Sequence, residues 1–307
     1  MPLYDYLTAD VFTTRRFGGN PLAVLTDARG LTDAQMLAIT REFNYSETVF
    51  VLPPDDARHE RRLRIFTPGG EVPFAGHPTV GTAYLLAATG ALFLRSEETT
   101  IVFEEGVGPV SVMIRVEHGT PVFAQLSVAQ LPAVVMADLD RTGLAAMLGL
   151  TPDDLLDDPY LPEAVSCGLP FLLVPVRDRG AVARARVVLD AWEQTLRGTP
   201  GSEIMVFAMD AEAEDADVRA RVFVPGLSVP EDPATGSACA ALGGYLAQRT
   251  PRDDGTLRWT VEQGVEMGRP SRIEVEVDKQ GGAVTAVRVG GAAVQVMEGK
   301  LRVGARD

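Results

Sequence analysis

Two stretches of this chain, half its length apart, carry the same chain-turning residues in the same order. The first runs Phe66-Thr67-Pro68-Gly69 and continues through Pro73 to Ala75-Gly76-His77-Pro78-Thr79. The second runs Phe223-Val224-Pro225-Gly226 and continues through Pro230 to Asp232-Pro233-Ala234-Thr235-Gly236-Ser237. The Phe, both Pro and the Gly recur at one offset of 157 residues. Each stretch then opens into a long segment without a formal charge, Val72–Leu94 and Pro233–Gln248. A strand, a tight Pro/Gly turn and an apolar helix written twice predict a duplicated fold with a site between the copies.

The two helices constrain the architecture because they are apolar all round. A helix with no polar face must be enclosed, most simply by a sheet curled about it. Strand patterns supply the sheet: alternating runs at Val110–Val116, Val218–Val224, Arg272–Val277 and Val284–Val289, and apolar runs at Leu22–Leu25, Thr48–Leu52, Phe171–Val176 and Ile204–Ala208. Outer helices are expected after the capping box Thr32-Asp33-Ala34-Gln35, ending at Asn44, and at Leu139–Leu148 and Asp190–Leu196. The fold class is therefore mixed α/β: two similar domains, each a curved mixed sheet around a central buried helix. A linker near Ser127–Pro132 divides them into an N-terminal domain 1–128 and a C-terminal domain 129–307, and the last strands are free to return to the first.

A net charge of −14 excludes most nucleic-acid and anionic-membrane roles, which need clustered Lys and Arg. The densest basic run, His59-Glu60-Arg61-Arg62-Leu63-Arg64, alternates with Leu63 and Ile65 as the outer face of a strand does. The two cysteines, Cys167 and Cys239, make no disulfide framework. No histidine stands at metal-ligand spacing, so no metal is expected. The N-terminus has no signal-peptide pattern, and Val72–Leu94 carries His77 and two prolines too early for a membrane span. A cytoplasmic protein is the expectation.

The helix starts are the first chemical candidates. Their unpaired N–H groups and partial positive charge hold a carboxylate without arginine. Gly76 and Gly236 let a ligand come close to the backbone, and Thr79, Thr235 and Ser237 either cap the helices or donate to a ligand. His77, at the first start, is expected to be neutral under the helix dipole and able to pass a proton. Asp232 is either a dipole-stabilising charge or an orienter for His77 or a substrate amine. Glu47 precedes the apolar strand Thr48-Val49-Phe50, which makes it either a surface strand end or a desolvated acid/base.

Taken together, Gly19-Asn20-Pro21-Leu22-Ala23-Val24, Ser46-Glu47-Thr48, Ala75-Gly76-His77-Pro78-Thr79, Gly168-Leu169-Pro170-Phe171, Asp232-Pro233-Ala234-Thr235-Gly236-Ser237 and Gln263-Gly264 with Met267-Gly268-Arg269-Pro270-Ser271 resemble the PhzF, or phenazine biosynthesis-like, family. The matches run in the family's order along almost the whole chain. The resemblance implies the diaminopimelate-epimerase-like fold, an active site between two domains and a homodimer. It also implies an isomerase that moves a proton within a dihydro-hydroxyanthranilate without cofactor or metal. The family's acid/base falls on Glu47 and its histidine and aspartate on His77 and Asp232. Substrate binding falls on Gly236 and Ser237, with Gly76 and Asn20; Arg269 either meets an anionic substrate or makes a structural salt bridge.

Superfamily relatives that racemise amino acids use two facing cysteines. Here Ala75 and Asp232 stand at the two helix entrances, so a single carboxylate shuttle fits better. The leading expectation is a cofactor-independent isomerase acting on a small cyclic or amino-substituted carboxylate. The alternatives are a non-catalytic carboxylate-binding protein of the same fold, or a lyase or hydratase using the same carboxylate.

Overall fold

In the computed structural model, residues 2–137, 139–227 and 229–304 are described, and they form two compact units. The first comprises Met1–Ser127 and Gly290–Asp307, the second Val128–Val289.

The first unit contains β1 (Leu3–Val11), β2 (Asn20–Leu25), α1 (Asp33–Phe43), β3 (Glu47–Leu52), β4 (Arg61–Thr67), β5 (Gly70–Val72), α2 (Gly76–Ala88), β6 (Glu98–Glu105), β7 (Gly108–Glu117) and β8 (Thr120–Ser127). The second contains β9 (Ala133–Met136), α3 (Arg141–Met147), β10 (Glu163–Ser166), β11 (Pro170–Pro175), α4 (Arg179–Arg184), α5 (Leu189–Thr195), β12 (Ile204–Ala208), β13 (Val218–Val224), β14 (Val229–Asp232), α6 (Gly236–Arg249), β15 (Gly255–Gln263), β16 (Ser271–Gln280) and most of β17 (Ala283–Gly291). β18 (Ala293–Arg302) belongs to the first unit.

The last segment of the expected C-terminal domain, 129–307, returns to the first unit, the alternative that the sequence left open. β18 runs antiparallel along the whole of β1, from Leu3↔Arg302 to Val11↔Ala293, and strands of nine and ten residues paired end to end hold this segment there.

The duplication recurs in the hydrogen-bonding pattern. From β1 to β2, β3, β4, β6 and β7 the pairings run antiparallel, parallel, antiparallel, parallel, antiparallel. From β10 to β11, β12, β13, β15 and β16 the same sequence repeats. β5 and β14 are the short returns after β4 and β13, just ahead of the buried helices.

α2 packs on β1, β2 and β18 and equally on β7 and β8, strands from both ends of its sheet, so the sheet curls around it. α6 likewise touches β10 and β11 at one end of its sheet and β15 and β16 at the other. Eleven of the 13 residues of α2 are buried, including Thr79, Thr82 and His77. Close approach requires glycine: a Cβ on Gly81 would lie 2.5 Å from Val11 Cγ2 and 2.6 Å from Leu22 Cδ2. At 13 residues α2 is too short to span a bilayer, and no helix among the described residues is long and apolar enough to do so.

The outer helices follow the local rules. Thr32 and Gln35 close the expected capping box on α1, and Asn44 ends it in the left-handed region with φ 53°. α1 covers a cluster with Phe50 and Phe66, and α3, α4 and α5 cover another with Leu172, Val174, Ile204 and Val206. α4 escaped sequence reading because its six residues carry too short an apolar period.

Gly81→Val forces two methyls against β1 and β2. It is expected to cost about 1–3 kcal/mol, measured as a lower denaturant midpoint with an unchanged m-value. An unchanged midpoint would mean that α2 does not sit directly on these strands.

Candidate active site

β2 and β3 run parallel with Leu22 opposite Glu47, so the strand starts at Asn20 and Glu47 lie at the same end of the sheet. Gly19, with φ 60°, turns the chain into β2; a Cβ there would strike the Val11 carbonyl at 2.3 Å. Asn20 is completely buried. α2 starts with Gly76, and His77, its second residue, points Nε2 at Glu47 Oε2 across 3.6 Å. The His77 side chain is 6% exposed and that of Glu47 19%. Of the expected catalytic residues, the first unit thus joins Glu47 and His77.

The state of His77 follows from its two nitrogens. Its ring hydrogen-bonds the backbone of Pro21, which has no N–H, so the Pro21 carbonyl accepts and the ring donates. Nε2 faces Glu47 and has no hydrogen-bond partner among the described residues, so the donor is Nδ1. Burial pushes the imidazole down from 6.5 to about 3, the Pro21 contact opposing it only in part. An imidazolium here would need a closely paired carboxylate, and 3.6 Å exceeds hydrogen-bond length, so desolvation wins and the ring is neutral. The Nε2 lone pair then faces the Glu47 carboxyl across 3.6 Å.

The second unit holds the other candidates. Asp232 ends β14, nearly buried, and accepts from Thr235 Oγ1 at 2.5 Å. Gln263, fully buried at the end of β15, donates to the Asp232 carbonyl at 2.7 Å and to Thr235 Oγ1 at 3.1 Å, and accepts from the Thr235 N–H at 3.1 Å. The turn before α6 is thus fastened from beneath, with Gly236 buried and Ser237 partly exposed on the first turn of the helix. Ser271 Oγ adds contacts to the Pro233 and Arg269 carbonyls at 3.0 and 2.9 Å.

Of the two roles open to Thr79 and Thr235, capping or donating to a ligand, neither residue takes the capping one. The residues preceding α2 and α6, Ala75 and Thr235, make no side-chain cap, and the Thr235 hydroxyl is spent on Asp232. Thr79 Oγ1 turns back to the Ala75 carbonyl at 2.8 Å. Neither N-cap side chain takes up a first-turn N–H, the condition an anion-binding helix start requires.

Neither cysteine is a nucleophile in waiting. Burial pushes the Cys167 thiol up to about 12, and burial with the nearby Asp232 carboxylate raises Cys239 further. No group of three or more His, Cys, Asp or Glu side chains among the described residues is arranged to hold a metal ion. Two contributors escaped the sequence reading. Pro21 acts through its carbonyl, which no motif spells out, and Gln263 was visible only as part of a Gln-Gly pair.

His77 makes stability pH-dependent with a defined sign. Its folded value lies below the unfolded 6.5, so the unfolded chain takes up a proton first as pH falls. Its contribution is complete above 6.5 and declines as pH drops from 6.5 toward about 3. His77→Gln, followed by calorimetry, is expected to remove that part of the acid-side loss. An unchanged pH slope would show that His77 is not held neutral.

The sequence profile of the phenazine biosynthesis-like protein family (PhzC-PhzF) matches residues 9–299. An uncharacterized isomerase of Mesorhizobium japonicum is 41% identical over 304 residues, covering 98% of this chain and 99% of that one. The trans-2,3-dihydro-3-hydroxyanthranilate isomerase of Pseudomonas aeruginosa is 32% identical over 301 residues, covering 97% and 99%. The crystal structure of a PhzF-family phenazine biosynthesis protein from Bacillus anthracis superposes with a TM-score of 0.88 at 28% identity, covering 99% of this chain and all of that one. With the fold, its buried helices and its sequence motifs agreeing, the chain belongs to the phenazine biosynthesis-like family and is an isomerase of the PhzF type.

Proposed function

We propose that this isomerase relocates one proton on a small cyclic or amino-substituted carboxylate, of the kind represented by trans-2,3-dihydro-3-hydroxyanthranilate, with Glu47 as acid and base. The observation that carries this reading is the Glu47–His77 pair, a buried neutral imidazole that directs a lone pair at a half-buried carboxyl 3.6 Å away. A shuttle needs a group that is an acid in one step and a base in the next, and partial desolvation brings a carboxyl toward that condition. Glu47 takes a proton from one position of the substrate and returns it to another, so the overall change is an isomerisation with nothing gained or lost.

In this reading His77 holds the carboxyl in register through Nε2, while Pro21 fixes the ring from the other side. In the first unit Gly76 offers a helix-start N–H to a carboxylate and Asn20 a polar contact; in the second, Gly236 and Ser237 offer helix-start N–H groups and Asp232 is the orienter of a substrate amine. Support comes from the uncapped starts of α2 and α6 and from the relatives' activity. Proton return within one molecule requires that water be kept out while the intermediate lives.

The test uses trans-2,3-dihydro-3-hydroxyanthranilate, and then a panel of cyclic amino acids, in deuterated buffer with product analysis by NMR and mass spectrometry. Wild type should give an isomer of unchanged composition in which part of the migrating hydrogen comes from substrate. Glu47→Gln should lose about 10²–10⁴-fold in kcat while remaining folded. A fully active Glu47→Gln would remove the mechanism, and loss of water from the product would make the enzyme a lyase.

A further inference from the structure

Glu105 is a buried carboxyl of the first unit that the proposed mechanism does not use. It ends β6, whose alternation places Thr99, Ile101, Phe103 and Glu105 on the covered face and Glu104 on the other. The backbone turns immediately after it: a Cβ on Gly106 would lie 2.7 Å from Pro73 Cα, so the strand end is pressed against the segment that leads into α2.

Proton counting favours its neutral state. Thr79 Oγ1 lies 2.8 Å from the Ala75 carbonyl and 2.6 Å from Glu105 Oε1. A carbonyl only accepts, and a hydroxyl has one proton to give. Both contacts are satisfied when Thr79 donates to Ala75 and Glu105 donates to Thr79, which requires a protonated Glu105. Its Oε2 is buried without a hydrogen-bond partner among the described residues, a tolerable position for a neutral carboxyl oxygen and a costly one for half a carboxylate charge.

The duplicated unit supplies an independent argument. β4 and β6 pair with Arg62 opposite Glu104, and β13 and β15 pair with Arg219 opposite Glu262. Arg62 and Arg219 stand at the same offset of 157 that relates the two Pro/Gly turns. The residues that follow Glu104 and Glu262 are Glu105 and Gln263, which therefore occupy equivalent places. Gln263 is a neutral side chain that fastens the entrance to α6 by donating to Asp232 and Thr235.

We propose that Glu105 is a positioning residue that acts as a neutral hydrogen-bond donor, the counterpart in the first unit of Gln263, clamping the first turn of α2 and with it His77. It touches Thr79, two residues beyond His77, and works through that turn rather than on substrate.

The groups around it agree with a neutral acid. On α2 the titratable side chain of the same turn is His77, itself neutral. On the outer side of the strand Asp55, Asp56, His59, Arg62 and Glu104 line a surface cleft with Glu105, and they engage one another. Glu104 meets His59 Nδ1 at 2.9 Å and the amides of Asp55 and Asp56 at 2.7 Å, and Arg62 meets Asp55 at 2.9 Å. Burial raises the carboxyl from 4.5 to about 8. Because the folded value is the higher one, the stabilisation from the protonated form is complete below 4.5 and is lost as pH rises to about 8.

Difference infrared spectra of wild type and Glu105→Gln, with denaturant titrations of both and of Glu105→Leu, test this without any turnover, so a wrong substrate assignment leaves the result intact. Expected is a protonated-carboxyl carbonyl band at about pH 6 that is absent in Glu105→Gln and fades in wild type through about pH 8. Glu105→Gln should unfold at the wild-type midpoint near neutral pH, with slow amide exchange kept at Thr79 and Val80. Glu105→Leu, if it folds, should raise the unfolded fraction about tenfold or more and speed that exchange. No Glu105-dependent band, or a Glu105→Gln as unstable as Glu105→Leu, would overturn the proposal. Should Glu105→Leu fail to fold, the band and the Gln variant still decide.

Discussion

A helix with no side to show to water can exist only inside something, and α2 and α6 impose that condition twice. Each sheet has to supply strands on opposite flanks of its helix, which the alternation of antiparallel and parallel pairings provides in both units. Glycines at the contact, Gly81 against Val11 and Leu22, and Gly243 against Val275, let helix and sheet approach. The consequence is chemical as well as architectural. Whatever side chain stands on the first turn of such a helix is taken out of water with it, while no N-cap side chain takes up the N–H groups of that turn.

His77 is the side chain in that position in the first unit. In water it would be partly charged near its ordinary value of 6.5; enclosed, with Nδ1 committed to Pro21, it is neutral. A carboxyl facing its Nε2 then sits beside a lone pair in a dry place. The same enclosure explains why the second unit uses Gln263 at the base of its helix and why Glu105, in the equivalent place, resists ionisation. One physical cause, loss of hydration around the start of α2, sets the protonation of both groups.

Much of this was legible in the sequence, and the rest was not, for definite reasons. Charge-free segments revealed the helices, alternation the strands, and paired Pro/Gly turns the duplication. The sequence also marked Glu47 and His77 separately; it could not place them 3.6 Å apart, because that distance depends on the parallel register of β2 and β3. The return of β18 to β1 was open for the same reason, since strand partners far apart in sequence leave no local trace. Glu105 was unreadable in Glu104-Glu105-Gly106, which looks like a solvated hairpin; only alignment with Gln263 through the duplication would have marked it. Pro21 acts through a backbone atom, which side-chain chemistry cannot announce.

The central claim is that His77 is a neutral imidazole protonated on Nδ1, offering Nε2 to Glu47. Nitrogen-15 chemical shifts of the His77 ring, recorded on the unliganded protein near neutral pH, read this directly. The account predicts a protonated Nδ1 and an unprotonated, pyridine-type Nε2. A protonated Nε2, as the other tautomer or as imidazolium, would contradict it.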